Sequence, residues 1–271
     1  MVARVDLTNL GRHDVEALAQ AYKSAQPFPN MYIDNFFETE ILDQILDEFV
    51  THPGEMEAST YNTLLKRRQS NLNVMGPVTR ALIEDMHSPA FIRFLEKVTG
   101  IKGLIPDPFL FGGGTHEIGT GGFLKLHTDF NWHKRLNLHR RVNLLLYLNK
   151  DWQPEWNGAL ELWDAKVQTK GAEISPIFNR LALFSTTDES YHGHPEPLAC
   201  PEGQSRKSIA LYYYTAERPK NDTQFGKSTQ TNWRAKPGEQ FDVNPVRYAV
   251  AQTLLRFPIG RKVARMLGKN L

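Results

Sequence analysis

Six short apolar runs, each closed by glycine, asparagine, aspartate or another turn-forming residue, crowd into residues 109–215. They read FLFGGG, GFLKLH, RVNLLLYLN, ALELW, RLALFS and SIALYYYT. Many short strands with turn signals between them suggest a sandwich or jelly roll. There is no internal repeat of fixed period and no low-complexity stretch. At 271 residues the chain is long enough for one substantial barrel with helical cover.

The cover is expected before the strands. Val15–Lys23 has a short helical pattern, and PFPNMYIDNFF reads as a strand. In ETEILDQILDEF, Ile41, Leu42, Ile45, Leu46 and Phe49 recur at helical spacing after an acidic first turn. SPAFIRFLEKVTG has Ser88 as its cap, Pro89 in the first turn and Gly100 as its stop. These helices are expected to back one sheet. The reading divides the chain into residues 1–107 backing the barrel, a catalytic core over 108–216 and a C-terminal loop and helix over 217–271.

His127 and Asp129 end the strand GFLKLH and project to the same face, because side chains alternate along a strand. They offer one imidazole nitrogen and one carboxylate oxygen to a single ion. A later histidine, His192, would complete a triad of two histidines and one carboxylate. Such a triad holds one face of Fe(II) and leaves the other positions open. Farther on, Arg206 opens an apolar strand with Ser208 on the same face, a pairing able to clamp a carboxylate. Ala210 and Tyr212 continue that face, while Lys207 is expected to point to solvent. On Arg141–Leu148, residues Asn143, Leu145 and Tyr147 share a face.

The segments RRVNLLLYLNKDWQPEWNGALELWD, ISPIFNRLALFSTTDESYHGHP and SRKSIALYYYT resemble, in that order, the core of the 2-oxoglutarate/Fe(II) oxygenases of the prolyl 4-hydroxylase type. The resemblance covers about residues 108 to 216. It implies an all-β core with flanking helices, a double-stranded β-helix of the jelly-roll, cupin-like kind. It also implies Fe(II) as the metal, with 2-oxoglutarate and O2 as co-substrates. The metal ligands would be His127, Asp129 and His192. His194 competes as the third ligand, since it lies closer to Arg206; the family places its ligand directly after an aromatic residue, which favours His192. Fourteen positions from His192 to Arg206 is a longer gap than the family's usual one. Arg206, Ser208 and Tyr147 would bind the far carboxylate of 2-oxoglutarate. Tyr191, Gly193 and Pro195 would form the turn around the ligand.

The implied reaction couples oxidative decarboxylation of 2-oxoglutarate to hydroxylation of a C–H bond. A carboxylate at position 129 fits hydroxylation, because halogenating relatives have a small residue there. The implied substrate is a prolyl residue in a peptide or a proline-like small molecule, although fold and cofactor do not fix substrate. Asn131, Trp132, His194 and Tyr212 are candidates for the substrate mouth. Phe130–Arg135 is expected to be a loop there, and Thr60–Ser70 a lid. Two rival classes are a jelly-roll binding module with no redox role and a cupin-type metal-dependent hydrolase or isomerase. Neither requires a carboxylate clamp beside the metal.

A formal net charge of +2 gives no sign of a nucleic-acid footprint. Cys200 is the only cysteine, which excludes an internal disulfide and a cysteine-rich zinc site. The first residues, MVARVDLTNLGRHDVEALAQ, lack a signal-peptide apolar stretch, and no segment approaches a membrane span, so a cytoplasmic location is expected. NPVRYAVAQTLLRFPIGRKVARMLGKN reads as a helix interrupted near Pro258. Its basic residues Arg256, Arg261, Lys262, Arg265 and Lys269 fit a face docked on the barrel better than a membrane contact.

Overall fold

The computed structural model describes residues 7–57, 60, 62–219 and 227–239. The expected C-terminal helix lies outside them. In chain order the elements are α1 (Val15–Ser24), β1 (Asn30–Asp34), α2 (Thr39–Thr51), β2 (Glu55–Met56), β3 (Thr63–Gln69), α3 (Pro77–Met86) and α4 (Pro89–Thr99). Then follow β4 (Ile105–Pro106), β5 (Gly114–Thr128), β6 (Trp132–His133), β7 (Leu138–Tyr147), β8 (Leu160–Trp163) and β9 (Lys170–Ile174). Last come β10 (Arg180–Ser185), β11 (Tyr191–His194), β12 (Ser205–Thr215) and β13 (Asn232–Trp233).

The strands join in the order β1-β10-β7-β12-β5-β11-β8-β9. All their pairings are antiparallel. The sheet curls into a nearly closed jelly roll, as the strand pattern implies. The long strand β5 makes the turn: its first half pairs with β12 and its second half with β11.

Alternation along the central strands sorts two cores. Leu144 and Leu146 of β7, Leu181 and Leu183 of β10, and Ile209 and Leu211 of β12 pack with Leu42, Ile45, Phe91 and Leu95 of the helices. The residues between them, Tyr147, Ala182 and Phe184, face the barrel interior with Leu160 and Leu162 of β8. Both faces of these strands are therefore dry, which is why RLALFS and SIALYYYT read as nearly unbroken apolar runs.

The helices begin and end as their sequences direct. The Ser88 hydroxyl accepts from the Phe91 amide, and Gly100 closes α4 at φ 72°. Helix α3, with Pro77 in its first turn, escaped the sequence reading. It has no side-chain cap of its own; Glu48 of α2 supplies one from outside. Its carboxylate accepts from the Val78 amide at 2.8 Å, the Thr79 amide at 2.7 Å and the Thr79 hydroxyl at 2.7 Å. An anion on a helix N-terminus satisfies orphan amides and meets the positive end of the helix dipole. Glu48→Ala is expected to lower stability by about 1.5–3 kcal/mol, the range for hydrogen bonds to a charged group. Urea unfolding measures it, and a loss of only a few tenths would mean that water replaces the cap.

Three local expectations are corrected. FLFGGG is a turn, not a strand: the Asp107 carboxylate accepts from the Phe109 and Phe111 amides, and Gly112 turns the chain at φ 78°. The strand starts at Gly114 and runs through the glycine-containing stretch GTHEIGTGG. Thr60–Ser70 is not a free lid, since β3 lies in the sheet against β5. Trp132 and His133 are not loop residues either; both are buried and pair with β7 as β6. The N-terminal segment thus contributes β1, β3 and β4 to the sheet itself.

Candidate active site

Strands β5 and β11 run antiparallel with His192 directly opposite His127. That register sets their rings 4.4 Å apart. Asp129, just past the end of β5, completes the group. One ligand atom from each of His127, Asp129 and His192 lies within 4.8 Å of the others. His127 Nε2 is 3.8 Å from Asp129 Oδ1, and His192 Nε2 is 3.3 Å from Asp129 Oδ2. His194 is outside this group.

The backbone selects the tautomer of both histidines. His127 Nδ1 is 2.8 Å from the Lys125 carbonyl, and His192 Nδ1 is 2.9 Å from the Ser190 carbonyl. A carbonyl only accepts, so each Nδ1 carries a hydrogen and Nε2 is the nitrogen each ring turns toward Asp129. Burial, reinforced by the neighbouring His192, pushes the His127 pKa down to about 3 and keeps the ring neutral. Burial alone would raise Asp129, but Arg140 and the histidines outweigh it and hold the carboxyl well below its usual range. Two neutral imidazoles and one anionic carboxylate are the donor set that Fe(II) takes on one face.

Arg140 and Asn143 were not foreseen as partners of Asp129. Arg140 is 1% exposed, and its guanidinium lies 3.0 Å from Asp129 Oδ2. Asn143 Nδ2 donates to the same oxygen at 2.6 Å, and its Oδ1 accepts from Arg140 Nε at 2.8 Å. With Oδ2 engaged, Oδ1 is the freer oxygen for a metal. Strict alternation would send Arg140 out with Val142 and Leu144. A bulge decides otherwise: Tyr213 pairs with Val142 but Tyr214 pairs with Arg140, so Arg141 is the extra residue and Arg140 turns inward. The sequence signal was two adjacent arginines leading into a buried strand.

The residues expected to clamp a carboxylate lie on the neighbouring strands β7 and β12, where Ser208 pairs with Tyr147. Arg206 is 5% exposed; its Nε donates to the Gly158 carbonyl at 2.6 Å and Nη2 to the Tyr147 hydroxyl at 3.2 Å. Among the described residues no carboxylate forms an ion pair with it. Burial lowers its pKa, and the nearby Tyr147 only partly offsets this. The buried Ser208 hydroxyl has no hydrogen-bond partner among the described residues. A buried cation and a buried hydroxyl, both short of acceptors, fit an incoming carboxylate. Lys207 points the other way, as expected, but it is half-buried near Glu117 rather than in open solvent.

The mouth candidates part company. Tyr212 lies beside the triad: its ring is 3.4 Å from the Arg140 guanidinium, and its hydroxyl donates to the Gly112 carbonyl. Asn131 is 2% exposed and tied to Asp188 and to the Ser228 amide. Trp132 packs on His139 with Lys227 over its ring. His194 is buried next to a cleft of ≈ 260 Å³ lined by Trp152, Gly158, Glu161 and Glu196. That cleft excludes the three ligand candidates and includes His194 and Gly158 in its wall. Of the residues expected to form a turn at His192, Tyr191 and Gly193 lie in strand β11 instead, and Pro195 follows its end. Gly193 permits the strand, since a Cβ there would lie 2.8 Å from the Leu124 and Lys125 carbonyl oxygens.

Residues 113–214 match the family model of the 2OG-Fe(II) oxygenase superfamily, a span that holds all these residues. Over that span the chain is similar to this superfamily. The oxygenase therefore uses Fe(II), 2-oxoglutarate and O2, and it is a 2-oxoglutarate-dependent hydroxylase. It is similar in fold to a prolyl hydroxylase from Trichoplax adhaerens, solved with a hypoxia inducible factor peptide fragment. That match has 19% identity over 74% of this chain and 90% of that one, with a TM-score of 0.53. It is similar also to a Pseudomonas putida prolyl-4-hydroxylase, with 18% identity over 75% of this chain and 100% of that one, TM-score 0.50. A prolyl 4-hydroxylase from Phytophthora capsici matches at 18% identity over 98% of this chain and 80% of that one, TM-score 0.55. No curated protein sequence matches the oxygenase. Among the described residues, no helix is long and apolar enough to cross a membrane.

Proposed function

We propose that the oxygenase hydroxylates a C–H bond of a prolyl residue in a peptide, or of a proline-like small molecule, at a site built from His127, Asp129, His192 and Arg206. The observation that carries the site assignment is the pairing of a compact His-Asp-His group with a buried arginine that has no carboxylate partner among the described residues. His127, Asp129 and His192 would hold Fe(II), and Arg206, Tyr147 and Ser208 the far carboxylate of 2-oxoglutarate. When bound, the iron supplies the oxidising chemistry that couples 2-oxoglutarate decarboxylation to C–H hydroxylation. The protein's own part is orientation and exclusion of water. Arg140 and Asn143 fix the Asp129 carboxylate, and the two backbone carbonyls fix the histidine rings. The substrate reading draws on the fold shared with prolyl hydroxylases and on the apolar rings of Phe130 and Tyr212 around Arg140. A cytoplasmic setting suits a chain whose one cysteine, Cys200, is buried and free.

A hydrolase or isomerase of cupin type would share the metal group but leave Arg206 and Ser208 without a task. A binding module would need neither. Anaerobic addition of Fe(II) and then 2-oxoglutarate separates them. The weak visible absorption of a bidentate keto-acid chelate is expected for wild type and absent for Asp129→Ala. If 2-oxoglutarate produces no band on the iron-loaded wild type, the site assignment fails. Succinate release on a panel of prolyl peptides and free proline then tests the substrate, and release with neither would overturn that part.

A further inference from the structure

The inner face of β11 carries a second histidine whose chemistry the metal group does not use. His194 is 3% exposed, and neither of its ring nitrogens has a hydrogen-bond partner among the described residues. An imidazole always carries at least one N–H, so this is a buried donor with nothing to donate to. Such a group is costly unless something completes it. His194 shares a cleft wall with Gly158, whose carbonyl holds Arg206 Nε. The Ser208 hydroxyl is unpartnered too, on the same face of β12 as Arg206. Three buried polar groups from two strands are thus short of the same thing, an acceptor with several lone pairs.

We propose that His194 donates a hydrogen bond to the far carboxylate of 2-oxoglutarate and so helps this oxygenase select a five-carbon dicarboxylic keto acid. A carboxylate has about four lone-pair sites, enough for a guanidinium, two hydroxyls and one imidazole N–H. The two histidines lie two residues apart on β11, and only His192 belongs to the metal group. His192 stays beside Asp129, and His194 lies on the cleft wall that also includes Gly158, the residue whose carbonyl holds Arg206. The inference rests on the assignment of Arg206 as the carboxylate clamp.

The test uses the full chain loaded with Zn(II), which binds without turnover, and calorimetric titration of two keto acids. 2-Oxoglutarate has the far carboxylate; 2-oxobutanoate lacks it. His194→Leu is expected to weaken 2-oxoglutarate roughly ten- to a hundredfold, the scale of one hydrogen bond to a charged group. It should leave Zn(II) and 2-oxobutanoate binding unchanged, and His194→Gln, which keeps a donor, should recover much of the loss. Equal weakening of both keto acids would mean a merely structural role, and loss of Zn(II) a ligand role; either overturns the proposal, as does an unchanged 2-oxoglutarate affinity. Arg206→Ala run beside it separates the two assignments. If that variant weakens 2-oxoglutarate and His194→Leu does not, only the His194 role falls. If it binds as wild type does, the clamp falls as well. Should His194→Leu not fold, nitrogen-15 spectra of the wild-type histidine rings decide. The His194 N–H signal is expected to shift on adding 2-oxoglutarate but not 2-oxobutanoate, and a signal indifferent to both refutes the contact.

Discussion

Arg206→Ala is expected to bind 2-oxoglutarate about a hundredfold to a few thousandfold more weakly than wild type while still binding iron. Arg206 is buried, tied to the Gly158 carbonyl and the Tyr147 hydroxyl, and has no carboxylate partner among the described residues. Removing one partner of a buried charged pair costs on the order of 3–5 kcal/mol, which at about 1.4 kcal/mol per tenfold gives that range. Arg206→Lys should recover only part, because an ammonium cannot reproduce the planar fork that meets Tyr147 and a carboxylate together. Tyr147→Phe should cost less, about 1.5–3 kcal/mol, as one hydrogen bond to a charged group. Titration of 2-oxoglutarate into iron-loaded protein measures all three. Wild-type affinity in Arg206→Ala would remove the clamp.

Asp129→Ala is expected to fail in two ways. The loss of a metal ligand should abolish iron-dependent turnover. The metal-free protein should also lose about 3–5 kcal/mol of stability, because Arg140 would remain buried at 1% exposure without its anion. Adding Arg140→Met should return much of that stability and none of the metal binding, since it removes the stranded charge and keeps apolar volume against Tyr212 and Phe130. Metal-free unfolding curves and iron titrations separate the two effects. If Asp129→Ala is as stable as wild type without metal, the Arg140 ion pair contributes nothing to the fold, and its only remaining role would be to orient the carboxylate.

Much of the site was legible because strand periodicity is local. His127 and Asp129 share a face by the alternation of a strand, and so do Arg206 with Ser208 and Asn143 with Tyr147. The identity of a donor set also follows from residue types alone: imidazole, carboxylate and guanidinium have few common tasks beyond metal and anion binding. The helices at Thr39–Thr51 and Pro89–Thr99 followed from apolar spacing and caps in the same way. FLFGGG misled because its apolar residues suit a strand, whereas the Asp107 side chain and Gly112 impose a turn.

What the sequence by itself determined was which residues belong to one face of one strand, and therefore which chemical groups could act together. Only the tertiary structure decided which strands meet and in what register. His192 faces His127 because β11 pairs with β5 at that register. Arg140 reaches Asp129 because the chain has one residue more on β7 than on β12 there. His194, two residues farther along β11, lies outside the metal group and has no hydrogen-bond partner among the described residues. Register and bulges depend on contacts between residues far apart in the chain, and a shift of one position exchanges the faces of a whole strand. No local pattern of residues contains that information.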